Sequence, residues 1–154
     1  MDEVDWRILE ELQEHARRPL AEVGRRVGLT APAVAERVRR LELAGVITGY
    51  HAAIDTDRLG LSLAAFVRFS VTTGTYPQLD QLLRHYPEIL ECHRVTGSDC
   101  YIMCVAVASI RHLEDLINRL TPYGTLTTSI VLSSPITRRT LTPANLAWEA
   151  DERA

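Results

Sequence analysis

Seven arginines between residues 17 and 40 are the densest chemistry in this chain. Arg17, Arg18, Arg25, Arg26, Arg37, Arg39 and Arg40 stand there against only Glu22 and Glu36, a local balance of +5. A guanidinium presents a planar fork of N–H donors that suits phosphate oxygens and the edge of guanine. Gathered on one surface, such groups attract a polyanion whatever the sign of the whole molecule, which here is −3. Residues 1–14 are the reverse: Asp2, Glu3, Asp5, Glu10, Glu11 and Glu14 face a single Arg7, a balance of −5. A second cluster, Cys92, His93, Cys100 and Cys104, invites zinc, but its spacing is not that of a zinc knuckle. Small buried thiols are the expected reading, with Cys92 and Cys104 as cross-strand neighbours. The five histidines (His15, His51, His85, His93, His112) are scattered, without metal spacing or a paired nucleophile. No catalytic residue, metal site or cofactor is predicted, and the chain is not expected to be an enzyme.

The elements that must carry the arginines are helical. Residues 2–15 place Val4, Ile8, Leu9 and Leu12 on one stripe, with Asp2 as cap and Asp5 three positions on. Arg17-Arg18-Pro19 ends that helix. Leu20, Val23 and Val27 give a short second helix stopped by Gly28. Thr30 is expected to cap a third helix running to about residue 44, with Val34, Val38 and Leu41 inward and Gly45 as breaker. Two helices joined by a tight glycine turn form a helix-turn-helix pattern. Small residues at the start of the third helix let the backbone approach base edges in a major groove. Thr30, Pro32, Ala33, Glu36 and Arg37 are expected to face bases. Arg25, Arg26, Arg39 and Arg40 are expected to position phosphates. Residues 46–50 are read as a small wing, which would make the unit a winged helix-turn-helix.

From residue 61 the hydrophobic period changes to 2. Leu63, Ala65, Val67, Phe69 and Val71 alternate with more polar neighbours, as a strand requires. A helix over 77–85, a strand over 89–96, a turn at Gly97-Ser98-Asp99, a strand over 101–108, a helix over 110–120 and a strand over 126–132 follow. The order βαββαβ is the ferredoxin-like split unit, so the fold class is α+β with an antiparallel sheet. The run Tyr101-Ile-Met-Cys-Val-Ala-Val-Ala108 is apolar on both faces. Helices cover one face of a small sheet; a second copy is the simplest cover for the other, which predicts a homodimer. Residues 136–141 are read as a strand-like tail, and a short helix is expected after Pro143. The expected division is 1–49 DNA-binding domain, 50–61 connector, 62–141 dimerisation and effector domain, and 142–154 tail. Hydrophobic residues are 46% and charged residues 24%, an ordinary globular balance. No apolar run approaches the ~20 residues of a membrane span. The acidic opening residues and the odd cysteine count predict a reduced, cytoplasmic protein associated with the nucleoid.

In this order the motifs resemble the leucine-responsive regulatory protein/AsnC family, the feast/famine transcription regulators. Asp2-x-Val4-Asp5-x-x-Ile8-Leu9-x-x-Leu12-Gln13 is similar to the family's first helix. Val27-Gly28-Leu29-Thr30 and Glu36-Arg37-Val38-Arg39-Arg40-Leu41-Glu42, then Gly45-Val46-Ile47, are similar to its turn and recognition helix. Glu91-Cys92-His93 and Val95-Thr96-Gly97 are similar to its second strand and turn. The resemblance implies a sequence-specific regulator that binds double-stranded DNA as a dimer, often assembled into tetramers or octamers. It also implies an amino-acid or related effector held near the turn between the second and third strands. The family pattern Gly-x-x-Asp-Tyr reads Gly97-Ser98-Asp99-Cys100-Tyr101 here, so the aspartate stands one place early. The effector residues implied are Gly97, Ser98, Asp99, Tyr101 and Thr128. Two other classes share this frame: a tetrapyrrole decarboxylase, testable by the visible spectrum with added tetrapyrrole, and a chromatin organiser that binds operator and random DNA alike.

Overall fold

The structure is a computed structural model that describes residues 1–146. Three helices come first: α1 (Glu3–Glu14), α2 (Leu20–Val27) and α3 (Ala31–Leu43). The opening of α1 is closed by a reciprocal pair of bonds. The Asp5 N–H donates to Asp2 Oδ1 at 2.8 Å, and the Asp2 N–H donates to Asp5 Oδ2 at 3.0 Å. Ile8, Leu12, Val23, Val27, Val34 and Val38 form one buried cluster, with Leu20, Leu29 and Ile47 packed against it. The inward stripes expected of the three helices are the ones observed. Thr30 occupies the N-cap position of α3, but its hydroxyl makes no capping bond. Pro32 lies in the first turn, where its missing N–H costs nothing.

Residues 46–50 form no strand, so the expected wing is absent from this segment. The reason lies in how α3 ends. The Val46 N–H bonds Leu41 O at 2.9 Å and the Gly45 N–H bonds Glu42 O at 2.9 Å, the paired closure in which these amides satisfy the helix's last carbonyls. Tyr50 donates its hydroxyl to Glu42 at 2.8 Å. Backbone amides and side chain alike are committed to α3, leaving no free ladder for a wing.

The second unit is a four-stranded antiparallel sheet in the order β2-β3-β1-β4. Its elements are β1 (Leu63–Val71), α4 (Tyr76–Leu83), β2 (Ile89–Arg94), β3 (Tyr101–Val107), α5 (Ile110–Leu120) and β4 (Gly124–Ile130). Leu79 and Leu83 of α4 and Leu113, Leu116 and Leu120 of α5 share a core with Ala65, Val67, Phe69, Tyr101, Met103, Val105 and Val107. The other face is open. Phe66 is 48% exposed there, opposite Cys104 on β3 and Ser129 on β4. A bulge between Ile89 and Glu91 shifts the β2–β3 register. Cys104 therefore faces Glu91, and Cys92 faces Met103 on the other side of the sheet. The two thiols are not the neighbours expected.

Contacts gather residues 1–53 with the segment from Ile136 onward, and residues 54–135 separately. Residues 136–141 are not a strand. They belong to the first unit, where the Gln13 amide makes a reciprocal pair with Leu141: Nε2 donates to the carbonyl at 3.0 Å, and the Leu141 N–H donates to Oε1 at 2.9 Å. After Pro143 the chain makes a single 3-10 turn, Pro143–Asn145. The rest of the expected C-terminal helix and tail lies outside the described residues. Among the described residues, no helix is long and apolar enough to cross a membrane.

Candidate functional site

The first candidate surface is built by the α2–α3 turn. Gly28 adopts φ +77°, a left-handed stop that an L side chain resists. Gly24 allows a close approach between α2 and the turn. A Cβ built there would lie 2.4 Å from Leu29 O, and the Leu29 N–H returns to Gly24 O at 2.8 Å. The turn brings the start of α3 to the surface with Thr30 and Pro32 exposed and Ala31 and Ala33 half-buried. A backbone fringed by such small side chains is open to close approach by a large partner.

The opposed charges of the two N-terminal stretches fold against each other. Glu11 of α1 pairs with Arg18 and lies 3.5 Å from Arg26; Arg26 also meets Glu22 at 3.1 Å. Glu36 and Arg39 make a two-point pair, 3.1 Å at each contact. Arg37 Nη1 donates to Asp2 Oδ2 at 2.7 Å and to Asp5 Oδ1 at 2.6 Å. Arg37, expected at bases, is thus paired within its own unit. It sits beside the Val34–Leu41 stripe, 23% exposed, and is held by the same carboxylates that cap α1. Arg25 and Arg40 are exposed and, among the described residues, make no ion pair. Of the arginines expected at phosphates, these two keep their full charge for a partner; Arg26 and Arg39 are already paired.

The Arg37 knot has a pH signature. The Arg37 guanidinium, helped by the Asp5 amide bond, holds the Asp2 carboxyl below its ordinary value. Burial pushes Asp5 up, but the Asp2 amide and Arg37 outweigh it and the net shift is down. A carboxylate depressed in the folded state stabilises above its unfolded value of 3.8 and loses that contribution as pH falls through the folded value. Wild type is therefore expected to melt at a higher temperature than Arg37→Met at neutral pH. The gap should shrink as pH drops below about 4, followed by circular dichroism. A gap that persists undiminished in acid would show that the knot does not stabilise the fold.

The second candidate site lies on the sheet unit. Gly97, Ser98 and Asp99 turn β2 into β3, with the Val95 N–H on the Cys100 carbonyl at 3.1 Å. The Ser70 hydroxyl reaches both Ser98 O, at 3.1 Å, and Asp99 Oδ1, at 3.0 Å. Ser70 alternates with Phe69 and so belongs to the open face. Tyr101 belongs to the opposite face, 1% exposed, its hydroxyl donated to Asp80 Oδ1 at 2.7 Å. Thr128 pairs with Val67 on the outer strand, also on the helix side. The five residues implied for an effector are therefore not one constellation: Ser98 and Asp99 meet at Ser70, and Tyr101 is a core residue.

A cavity of about 520 Å³ opens instead between α4 and β2, lined by Asp80, Leu83, Arg84, Ile89, Leu90, Glu91, Cys92, Arg94 and Tyr101. Only Tyr101 was expected at a ligand site. Asp80 on α4 and Arg84 at its C-terminal cap stand four residues apart, beside the buried Leu79 and Leu83; that spacing was the available signal. Burial, with the nearby Asp80 charge, pushes the Cys92 thiol up. Among the described residues, no group of three or more His, Cys, Asp or Glu side chains is placed to hold a metal ion.

Comparison with known proteins places both units. Residues 1–42 match the model of the AsnC-type helix-turn-helix domain, and residues 64–141 match the Lrp/AsnC ligand binding domain. The HTH-type transcriptional regulator LrpC of Bacillus subtilis is 34% identical over 133 residues, 86% of this chain and 92% of that protein. The solved structure of B. subtilis LrpC superposes with a TM-score of 0.85 at 33% identity, covering 90% of this chain and 99% of that one. A feast or famine regulatory protein from M. tuberculosis, complexed with L-methionine, gives a TM-score of 0.85 at 34% identity, covering 92% and 99%.

Proposed function

The chain belongs to the Lrp/AsnC family of helix-turn-helix transcriptional regulators, and we propose that it reads duplex DNA with the first turn of α3. Thr30, Pro32, Ala33 and Glu36 enter the major groove. Arg25 and Arg40 take phosphates on either side, with Arg26 and Arg39 at the margin. The observation that carries this reading is the α2–α3 turn: an exposed helix start with small side chains and an uncommitted Thr30 hydroxyl, flanked by the two unpaired arginines. Arg37 acts behind that surface, fixing α3 on α1. Two copies packed through their open sheet faces would present two such helices to half-sites about one helical turn, or a small multiple, apart. Higher assembly into tetramers or octamers builds on that dimer. The protein works as a cytoplasmic, nucleoid-associated regulator without catalysis. An amino acid or related metabolite bound by the sheet unit shifts its DNA affinity, and DNA must shift its ligand affinity reciprocally.

The test is a salt series by fluorescence anisotropy, using duplex from the chain's own promoter and random duplex of equal length. Arg25→Ala and Arg40→Ala are each expected to weaken both duplexes about equally. Each should also reduce the slope of log K against log salt by about 1, the signature of a lost phosphate contact. Unchanged slopes in both variants would move the interface away from α3. Equal affinity of wild type for the two duplexes would remove sequence-specific reading.

A further inference from the structure

We propose that Glu36 selects cytosine at one position of each half-site, its carboxylate accepting from the exocyclic amino group, with Arg39 as the positioning residue that holds it in place. This deepens the DNA reading above, rests on it, and names the base it takes. Val34, Val38 and Leu41 are the buried stripe of α3. At about 100° per residue, Glu36 stands roughly half a turn round the helix from that stripe. Arg39 and Arg40 flank it, about 60° to one side and about 40° to the other. The crest of the helix is therefore a carboxylate, at the point where a duplex would come nearest. An acid there subtracts from the attraction of the phosphates, so it needs a donor to recognise. The donors on the major-groove edge are cytosine N4 and adenine N6. Adenine sets its amino group beside the N7 acceptor, which suits an amide; the cytosine amino group is the one a carboxylate takes.

The carboxylate is set in advance. Arg39 Nε donates to Glu36 Oε2 and Arg39 Nη2 donates to Glu36 Oε1, each at 3.1 Å. Two parallel bonds fix the plane of the carboxylate as well as its place. Each oxygen of an ionised carboxylate has two lone-pair directions, so one on each remains for a base. The hydrogen bonds and charge of Arg39, helped by Arg40, hold the Glu36 carboxyl below its ordinary value. It therefore meets the base as an acceptor, with no proton of its own to donate. The guanidinium also cancels its charge, which lets an acid enter a groove walled by phosphates. Both side chains stay accessible, Glu36 at 55% and Arg39 at 61%. A surface pair of this kind adds little to the fold, so its place on the crest of α3 is explained by what it presents outward. Preorganisation of this sort limits the entropy lost on binding.

The experiment is selection of bound duplexes from a library with a random core, using the full-length protein, followed by anisotropy on single-base variants of the best duplex. Wild type is expected to enrich cytosine at one position of each half-site and to prefer it there by about 5- to 150-fold, the worth of one good base contact. Glu36→Gln should exchange that cytosine for adenine, whose N6 and N7 a glutamine amide engages together, and should leave the rest of the motif unchanged. Loss of the cytosine preference at that position alone supports the contact as well. Arg39→Met should shrink the same preference toward parity. A residue that only met phosphate would instead weaken every duplex equally. Both variants should melt with the wild type. A Glu36→Gln variant that selects the wild-type motif, or alters it where wild type does not take cytosine, overturns the contact while the DNA reading stands. An Arg39→Met variant with the cytosine preference intact overturns the positioning role. A wild type that enriches no motif overturns the DNA reading itself.

Discussion

Gly24→Ala is expected to destabilise the DNA-reading unit by about 2 kcal/mol or more and to abolish measurable operator binding at micromolar protein. Helix propensity alone predicts the opposite sign, a gain of up to about 1 kcal/mol for alanine in a helix interior. The structure decides the sign. A Cβ at this position would stand 2.4 Å from Leu29 O and 3.3 Å from the Leu29 carbonyl carbon. Both are backbone atoms, so no side chain can swing aside. Relief requires α3 to shift on α2, at an overpacking cost of about 1–3 kcal/mol above the lost propensity gain. A unit of this size has few kilocalories to lose, and a displaced α3 no longer presents its first turn. Chemical denaturation followed by circular dichroism, with anisotropy on the same sample, reads both effects. A variant as stable as wild type with native operator affinity would refute the close approach.

Phe66→Arg is expected to convert the proposed dimer to monomer. Phe66 is 48% exposed on the open sheet face, with half-buried Ile102 and Cys104 on the neighbouring strand. Burying a phenylalanine contributes about 1.5–3 kcal/mol. In a two-fold interface each loss counts twice, so dissociation should strengthen by about 10² to 10⁴-fold. Sedimentation equilibrium at micromolar protein measures it. The folded monomer should survive, because the side chain faces away from the core formed by Ala65, Val67 and Phe69. A wild type that sediments as monomer, or a variant that remains dimeric, would show that this face is not the contact.

The architecture was legible wherever a period carried it. The inward stripe Val34, Val38 and Leu41 in α3 and the alternation through Ala65, Val67 and Phe69 in β1 emerge from the residues alone and are the buried residues observed. The βαββαβ order follows from where period 2 gives way to period 3.6. What escaped is long-range. Arg37 meets Asp2 and Asp5 across more than thirty residues of chain, and no local spacing announces that meeting. A helix is a cylinder with more than a buried stripe and a free face: positions flanking the stripe, such as Arg37, also meet neighbouring helices. Gly24 stands inside a short helix with no local signal, because only packing against the Leu29 backbone makes its missing side chain necessary. Tyr101 is legible by parity, since it alternates with Met103 and Val105 on the core face. Residues 136–141 look like a strand by composition, but pairing decides, and their partner is the Gln13 side chain.

That return of the chain to α1 has a consequence for how the first unit closes. Gln13 and Leu141 are joined across 128 residues of chain, and residues 54–135 of the sheet unit lie between them in sequence. The entropy of closing a loop grows only with the logarithm of its length, so an insertion of that size costs the first unit little more than a short one would. The helical unit can therefore carry a whole second unit within its own sequence and still draw its ends together.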